Sequence, residues 1–146
     1  MSDARPLPRP FADTMPMVLL RARETLLEPL RPILRDYQLT DQQWRVLRVL
    51  GQAGPLETTA LAEAVVMYPA SVTRVVRTLA GRGYLSREPL AADRRVQVVA
   101  ISPAGRALLE EVVPLMVRLG AEVRERYGAE KLEQLRTMLL EMIEVA

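Results

Sequence analysis

Two residue types are missing altogether. Cysteine is absent, which excludes disulfides, thiolate nucleophiles, thiol redox sensing and cysteine-type zinc sites. Histidine is absent too, and with it the commonest general base and the commonest metal ligand. Aromatic residues are scarce at 4%, so aliphatic side chains must build the core. Long apolar runs are also lacking: none approaches the roughly 18 residues that cross a bilayer. Arg5 and Arg9 are followed by no apolar signal core. No Gly-x-Ser-x-Gly, Gly-x-Gly-x-x-Gly or phosphate-loop motif occurs. The pair Glu110-Glu111 is no acid–base dyad, because neighbouring helical residues do not face each other. The expectation is a soluble, cytoplasmic chain with no catalytic residues, no metal, no cofactor and no membrane partner.

What is present fits one domain with a helical extension: 146 residues, 49% hydrophobic, with no internal repeat. The net charge is only +2, yet it is unevenly placed. Residues 68–106 hold seven arginines against Glu88 and Asp93, while residues 107–146 are net acidic. A basic middle followed by an acidic tail points to one anion-binding face. A solvated arginine surface is the alternative, since arginine outnumbers lysine throughout.

Residues 15–36 carry apolar positions Leu19, Ala22, Leu26, Leu30 and Ile33 at helical spacing. Pro16 suits a first turn, and Pro29 and Pro32 should interrupt the second half. A second helix is expected over Gln42–Gln52, opened by a capping box from Thr40 and Gln43 and closed by Gly51-Gln52-Ala53-Gly54-Pro55. A short third covers Thr58–Val66. A fourth starts at Pro69 and runs to Arg82, with Val72, Val75, Val76 and Leu79 inward and Gly81 and Gly83 as the stop. The period then changes: Tyr84-Leu85-Ser86-Arg87 and Val96–Ile101 are β-prone runs around a polar tip at residues 89–95. Ser102-Pro103 caps a fifth helix to about Tyr127, with Pro114 as a kink, and Gly128 separates it from a sixth. The last two helices are too apolar to lie on the outside of so small a domain, which demands partners from the chain or from a second copy.

Two short helices, a tight turn and then a hairpin form the order of a winged helix-turn-helix. The second helix of such a pair needs one apolar face to dock and one polar face for a major groove. The fourth helix has both, with Ser71, Thr73, Arg74, Arg77 and Thr78 outward. Arginine can bond guanine at two atoms. At the hairpin tip, Asp93 can aim the guanidinium of Arg95, and Arg94 and Arg95 can reach a narrow minor groove. Ordinary exposed charges on a helix and a soluble turn are the competing readings.

Asp93-Arg94-Arg95, followed by Val96 to Ile101 and then Ser102-Pro103-Ala104-Gly105-Arg106, resembles the wing signature of the MarR family of bacterial regulators. Pro69-Ala70-Ser71-Val72-Thr73-Arg74-Val75-Val76-Arg77-Thr78-Leu79 resembles that family's recognition helix. The resemblance covers residues 15–145. It implies a mainly α fold with a small β-hairpin wing, and a homodimer whose N- and C-terminal helices interlock. The implied division is a disordered arm at 1–11, dimerisation helices at 12–36 and 103–146, and a DNA-binding lobe at 37–102. The implied partner is double-stranded DNA with a pseudo-palindromic operator; a repressor is the default reading, because occupying promoter DNA blocks polymerase, and an activator is the alternative.

Ala22-Arg23-Glu24, Leu39-Thr40-Asp41-Gln42-Gln43-Trp44-Arg45-Val46-Leu47-Arg48 and Ala129-Glu130-Lys131-Leu132 are similar to regulators of homoprotocatechuate (4-hydroxyphenylacetate) degradation. That likeness implies a small phenolic or aromatic carboxylic acid as inducer and control of aromatic-acid catabolism. One feature of the residues bears on this independently. On a helical projection Arg23 falls about 40° from the apolar centre of the first helix. A guanidinium there needs a partner, either a ligand carboxylate or a protein one. Trp44 either floors an aromatic pocket or belongs to the core. Two readings compete with the whole: a regulator of stress or efflux genes answering another small molecule, and a helical dimer that binds only protein. The second leaves the arginine excess on the fourth helix and wing unexplained.

Overall fold

The computed structural model describes residues 10–146. A 3-10 turn at Phe11–Asp13 leads into α1 (Met15–Leu27), a second 3-10 turn at Glu28–Leu30 and α2 (Arg31–Asp36). The two prolines divide the N-terminal helix as expected: each lies in a first turn, where its missing N–H costs nothing. Of the arm expected over residues 1–11, residues 1–9 lie outside the described residues, and Phe11 already opens the first 3-10 turn.

The central lobe follows. α3 (Asp41–Ala53) opens with the capping box in both directions: the Gln43 N–H donates to Thr40 Oγ1 at 3.1 Å and the Thr40 N–H to Gln43 Oε1 at 3.0 Å. After β1 (Leu56–Glu57) come α4 (Thr58–Val65) and α5 (Pro69–Gly81), then β2 (Leu85–Pro89) and β3 (Gln97–Ile101). The sheet has the order β1-β3-β2, all antiparallel, with Leu56 opposite Val99 and Leu85 opposite Ile101. The expected two-stranded hairpin is therefore a three-stranded sheet. A two-residue strand has no periodicity to read; β1 exists because β3 offers it an edge. β2 also runs to Pro89 rather than stopping at Arg87, which an edge strand tolerates.

α6 (Pro103–Tyr127) runs through Pro114 as one helix, and α7 (Ala129–Val145) follows after Gly128. The Ser102 hydroxyl fastens the start of α6. It accepts from the Gly105 N–H at 3.1 Å and donates to the Gly83 carbonyl at 2.6 Å. Gly105 must be glycine here, because a Cβ would collide with the backbone oxygen of Tyr84.

The core lies in the central lobe. Leu47, Leu50, Leu61, Leu79, Val46, Val72, Val99 and Val112 are fully buried, and of these only Val112 comes from the terminal helices. α1 and α7 bury no residue at all within one subunit. Among the described residues, no helix is long and apolar enough to cross a membrane.

Candidate nucleic-acid interface

α5 docks through Val72, Val75, Val76 and Leu79, all buried. Its other face holds Thr73, Arg74, Arg77 and Thr78, all exposed, with Ser71 half-buried at the edge. The four expected inward residues and four of the five expected outward ones thus sit where helical spacing puts them. Both threonine hydroxyls turn back onto their own helix. Thr73 donates its hydroxyl proton to the Pro69 carbonyl at 3.0 Å, and Thr78 donates to the Arg74 carbonyl at 3.1 Å. A phosphate accepts and cannot donate, so in this geometry these hydroxyls offer lone pairs instead, which suit base amino groups.

Beyond β2, the tip of the wing is closed by the Leu90 N–H to the Val96 carbonyl at 2.8 Å and the Val96 N–H to the Asp93 carbonyl at 3.0 Å. Asp93 holds Arg95 three ways. Its Oδ1 accepts from the Arg95 backbone N–H at 3.0 Å and from Nε at 3.1 Å, and its Oδ2 accepts from a terminal guanidinium nitrogen at 3.3 Å. These bonds, side chain first, hold the Asp93 carboxyl below the ordinary aspartate pKa. The Arg95 side chain is nevertheless 91% exposed. It is a cation held in one orientation but open to an outside anion. Arg94 beside it is exposed as well.

Arg82, counted with the basic stretch, does other work. Its guanidinium donates to the Gln38 carbonyl at 2.6 Å and the Tyr37 carbonyl at 3.2 Å, and lies 5.1 Å from the centre of the Tyr84 ring. It ties the end of α5 to the segment after α2. Sequence reading could not separate it from the exposed arginines, because its partners are backbone carbonyls more than 40 residues away.

At the junction of α1 and α3, Arg23 is not a buried charge. Its side chain is 43% exposed, and it donates to Asp41 at 2.6 Å and to Glu24 at 3.1 Å. Glu24 also pairs with Arg31, and that hydrogen bond leads the causes that lower its pKa. Helical projection sets Arg23 near the apolar side of α1, and within one subunit α1 buries no residue on any side. Asp41 lies 3.7 Å from Arg45, whose terminal nitrogen donates to the Val65 carbonyl at 2.7 Å. Trp44 is half-buried against the core, and the Arg48 guanidinium lies 5.8 Å from the centre of its ring. Sequence reading passed over Arg48, although a tryptophan and an arginine four residues apart share a helix face and were legible as a pair.

A profile of the MarR family matches residues 39–96, from the end of the N-terminal segment to the wing. The regulator FarR of Neisseria gonorrhoeae, described as a helix-turn-helix transcriptional regulator, is 33% identical over 87% of both chains. The homoprotocatechuate degradative operon repressor of Escherichia coli is 28% identical over 90% of this chain and 88% of its own. Among solved structures, NadR in complex with 4-hydroxyphenylacetate superposes with a TM-score of 0.81 at 28% identity, covering 96% of this chain and 99% of that one. The repressor CouR bound to a 23-mer DNA duplex superposes with a TM-score of 0.81 at 25% identity, covering 90% and 94%. The likeness extends over nearly the whole chain, terminal helices included. With the winged helix-turn-helix lobe already described, it shows that this chain belongs to the MarR family of transcriptional regulators.

Proposed function

We propose that the chain is one subunit of a homodimeric repressor that releases operator DNA when an aromatic carboxylic acid binds, and that it controls genes for aromatic-acid catabolism. The observation that carries the DNA half is the pairing of an arginine-bearing α5 face with a wing whose Arg95 is oriented by Asp93 and still open to solvent. In this reading Arg74 and Arg77, with Ser71 and Thr73, meet base edges and backbone in the major groove. Arg94 and Arg95 meet the minor groove beside it.

The dimer rests on the apolar surface of the terminal helices. Val117, Met138 and Ile143 are more than half exposed in one subunit. A trough of about 350 Å³ lined by Leu26, Leu132, Leu135 and Leu139 opens between α1 and α7. A second copy of the chain, packed through its own α1 and α7, supplies what this surface lacks.

For the ligand, the Trp44 ring and the Arg48 guanidinium 5.8 Å from its centre offer a surface for an aromatic ring and a carboxylate. Arg48 has no carboxylate partner among the described residues, whereas Arg23 would have to exchange Asp41 for the ligand. Such an acid must bind more tightly to the conformation that cannot dock on DNA, by about 1–3 kcal/mol for a 5- to 150-fold release. The test is calorimetric titration of 4-hydroxyphenylacetate and homoprotocatechuate into wild type, Arg23→Ala and Arg48→Ala, paired with a DNA-release assay. Loss of ligand response with retained DNA binding is expected in both variants. Wild-type affinity in both would place the ligand elsewhere.

A further inference from the structure

Between α2 and α6, only two large apolar side chains among the described residues are strongly exposed, and they lie two residues apart. Val66 is 83% exposed and Tyr68 is 84% exposed. Both sit in the turn between α4 and α5, on the rim of a trough also lined by Thr59, Glu63 and Pro69. The backbone at Val66 is itself unusual, with φ at 54° and ψ at 58°, the left-handed region. A β-branched side chain is disfavoured there, and glycine or asparagine would relieve the strain. This left-handed residue ends α4, with the Met67 N–H returning to the Ala62 carbonyl at 3.1 Å, and the turn it makes leaves the Val66 and Tyr68 side chains in solvent.

The turn is continuous with the proposed DNA-reading face. Tyr68 immediately precedes α5, one turn ahead of Ser71 and two ahead of Arg74. In a helix-turn-helix the first residues of the second helix meet base edges. The exposed carboxylate of Glu63 lines the same trough, so phosphate is a poor occupant. The apolar group that a major groove displays on its base edges is the thymine methyl.

We propose that Tyr68 is a specificity-determining residue whose ring packs on a thymine 5-methyl group beside the bases reached by Arg74, with Val66 covering the flank of that contact. The proposal rests on the reading of the chain as a DNA-binding regulator.

The test selects duplexes from a randomised pool with the full-length protein. Wild type and Tyr68→Phe should enrich thymine at one position per half-site, next to the position that Arg74→Ala relaxes, and Tyr68→Ala should lose that enrichment. Replacing this thymine by uracil removes only the methyl group. It should weaken wild type about fourfold, the scale of one buried methyl-sized group, and leave Tyr68→Ala unchanged. Val66→Asn should raise the thermal midpoint and lower affinity for the selected duplex; unchanged affinity would remove Val66 from the contact. A uracil penalty that is absent in wild type, or equal in wild type and Tyr68→Ala, overturns the proposal and leaves the DNA-binding reading standing. A wild type that enriches no sequence overturns both.

Discussion

The central lobe and the terminal helices are built from the same aliphatic residues at the same helical spacings, yet they end in opposite states. In the lobe, Leu47, Leu61, Val72 and Leu79 are fully buried within one subunit. On α7, Leu132, Leu135 and Leu139 form as regular a stripe and remain only half-covered, while Met138 and Ile143 stand in solvent. The lobe closes its core by folding α3, α4 and α5 around one another beneath the sheet. The terminal helices have neighbours on one side only. The hydrophobic effect follows area removed from water, so the same pattern stabilises a fold in one region and calls for a second molecule in the other.

The sharpest way to break the comparison is one truncation in each region. Leu47→Ala leaves a cavity in the closed core and should cost about 2–5 kcal/mol at every protein concentration. Ile143→Asp should leave the lobe's packing intact. It should instead lower the average mass seen by light scattering toward one chain and make the thermal midpoint depend more steeply on concentration. Equal, concentration-independent losses in both variants would show that α7 belongs to the same closed core as Leu47.

A second pair of substitutions concerns function rather than folding. Arg95→Ala and Arg74→Ala should each weaken operator binding by about 1–3 kcal/mol in a titrated gel shift, with Arg74→Ala also relaxing sequence preference. Both residues are exposed, so thermal midpoints should stay close to wild type. Acid sharpens the point. The Asp93 pKa is depressed in the folded chain, so its hold on Arg95 is complete above the ordinary aspartate range and is lost as pH falls through the lowered value. The aim of Arg95 should therefore be insensitive to pH near neutrality. A wing-tip signal that titrates near neutral pH would contradict this assignment.

The smallest expected effect lies where the two regions meet. Asp41→Ala removes the carboxylate that joins Arg23 of α1 to the start of α3. Both side chains are partly exposed, and such pairs contribute about 0.2–1 kcal/mol. A double-mutant cycle of Asp41→Ala with Arg23→Ala should return a coupling of that size. A coupling of several kcal/mol would mean that the pair is buried in the dimer.

Much of the element plan was legible because it depends on local chemistry. Thr40 and Gln43 cap a helix wherever it packs, Pro16, Pro69 and Pro103 suit first turns whatever lies nearby, and the spacing of Val72, Val75, Val76 and Leu79 marks an inward face without saying what it meets. The pairing of Asp93 with Arg95 was equally readable, since two residues of separation bring a carboxylate and a guanidinium together in a turn. Tertiary structure decided what depends on distant partners. β1 exists only against Val98 and Val99. Arg82 leaves the free basic surface because the Tyr37 and Gln38 carbonyls come within reach. Arg23 lies at the surface of the subunit because α1 finds nothing to cover it, and its guanidinium meets Asp41 only once α3 is packed beside it. Periodicity states which side of a helix is apolar; whether that side is buried, and in which molecule, is decided by the area that the rest of the fold brings against it.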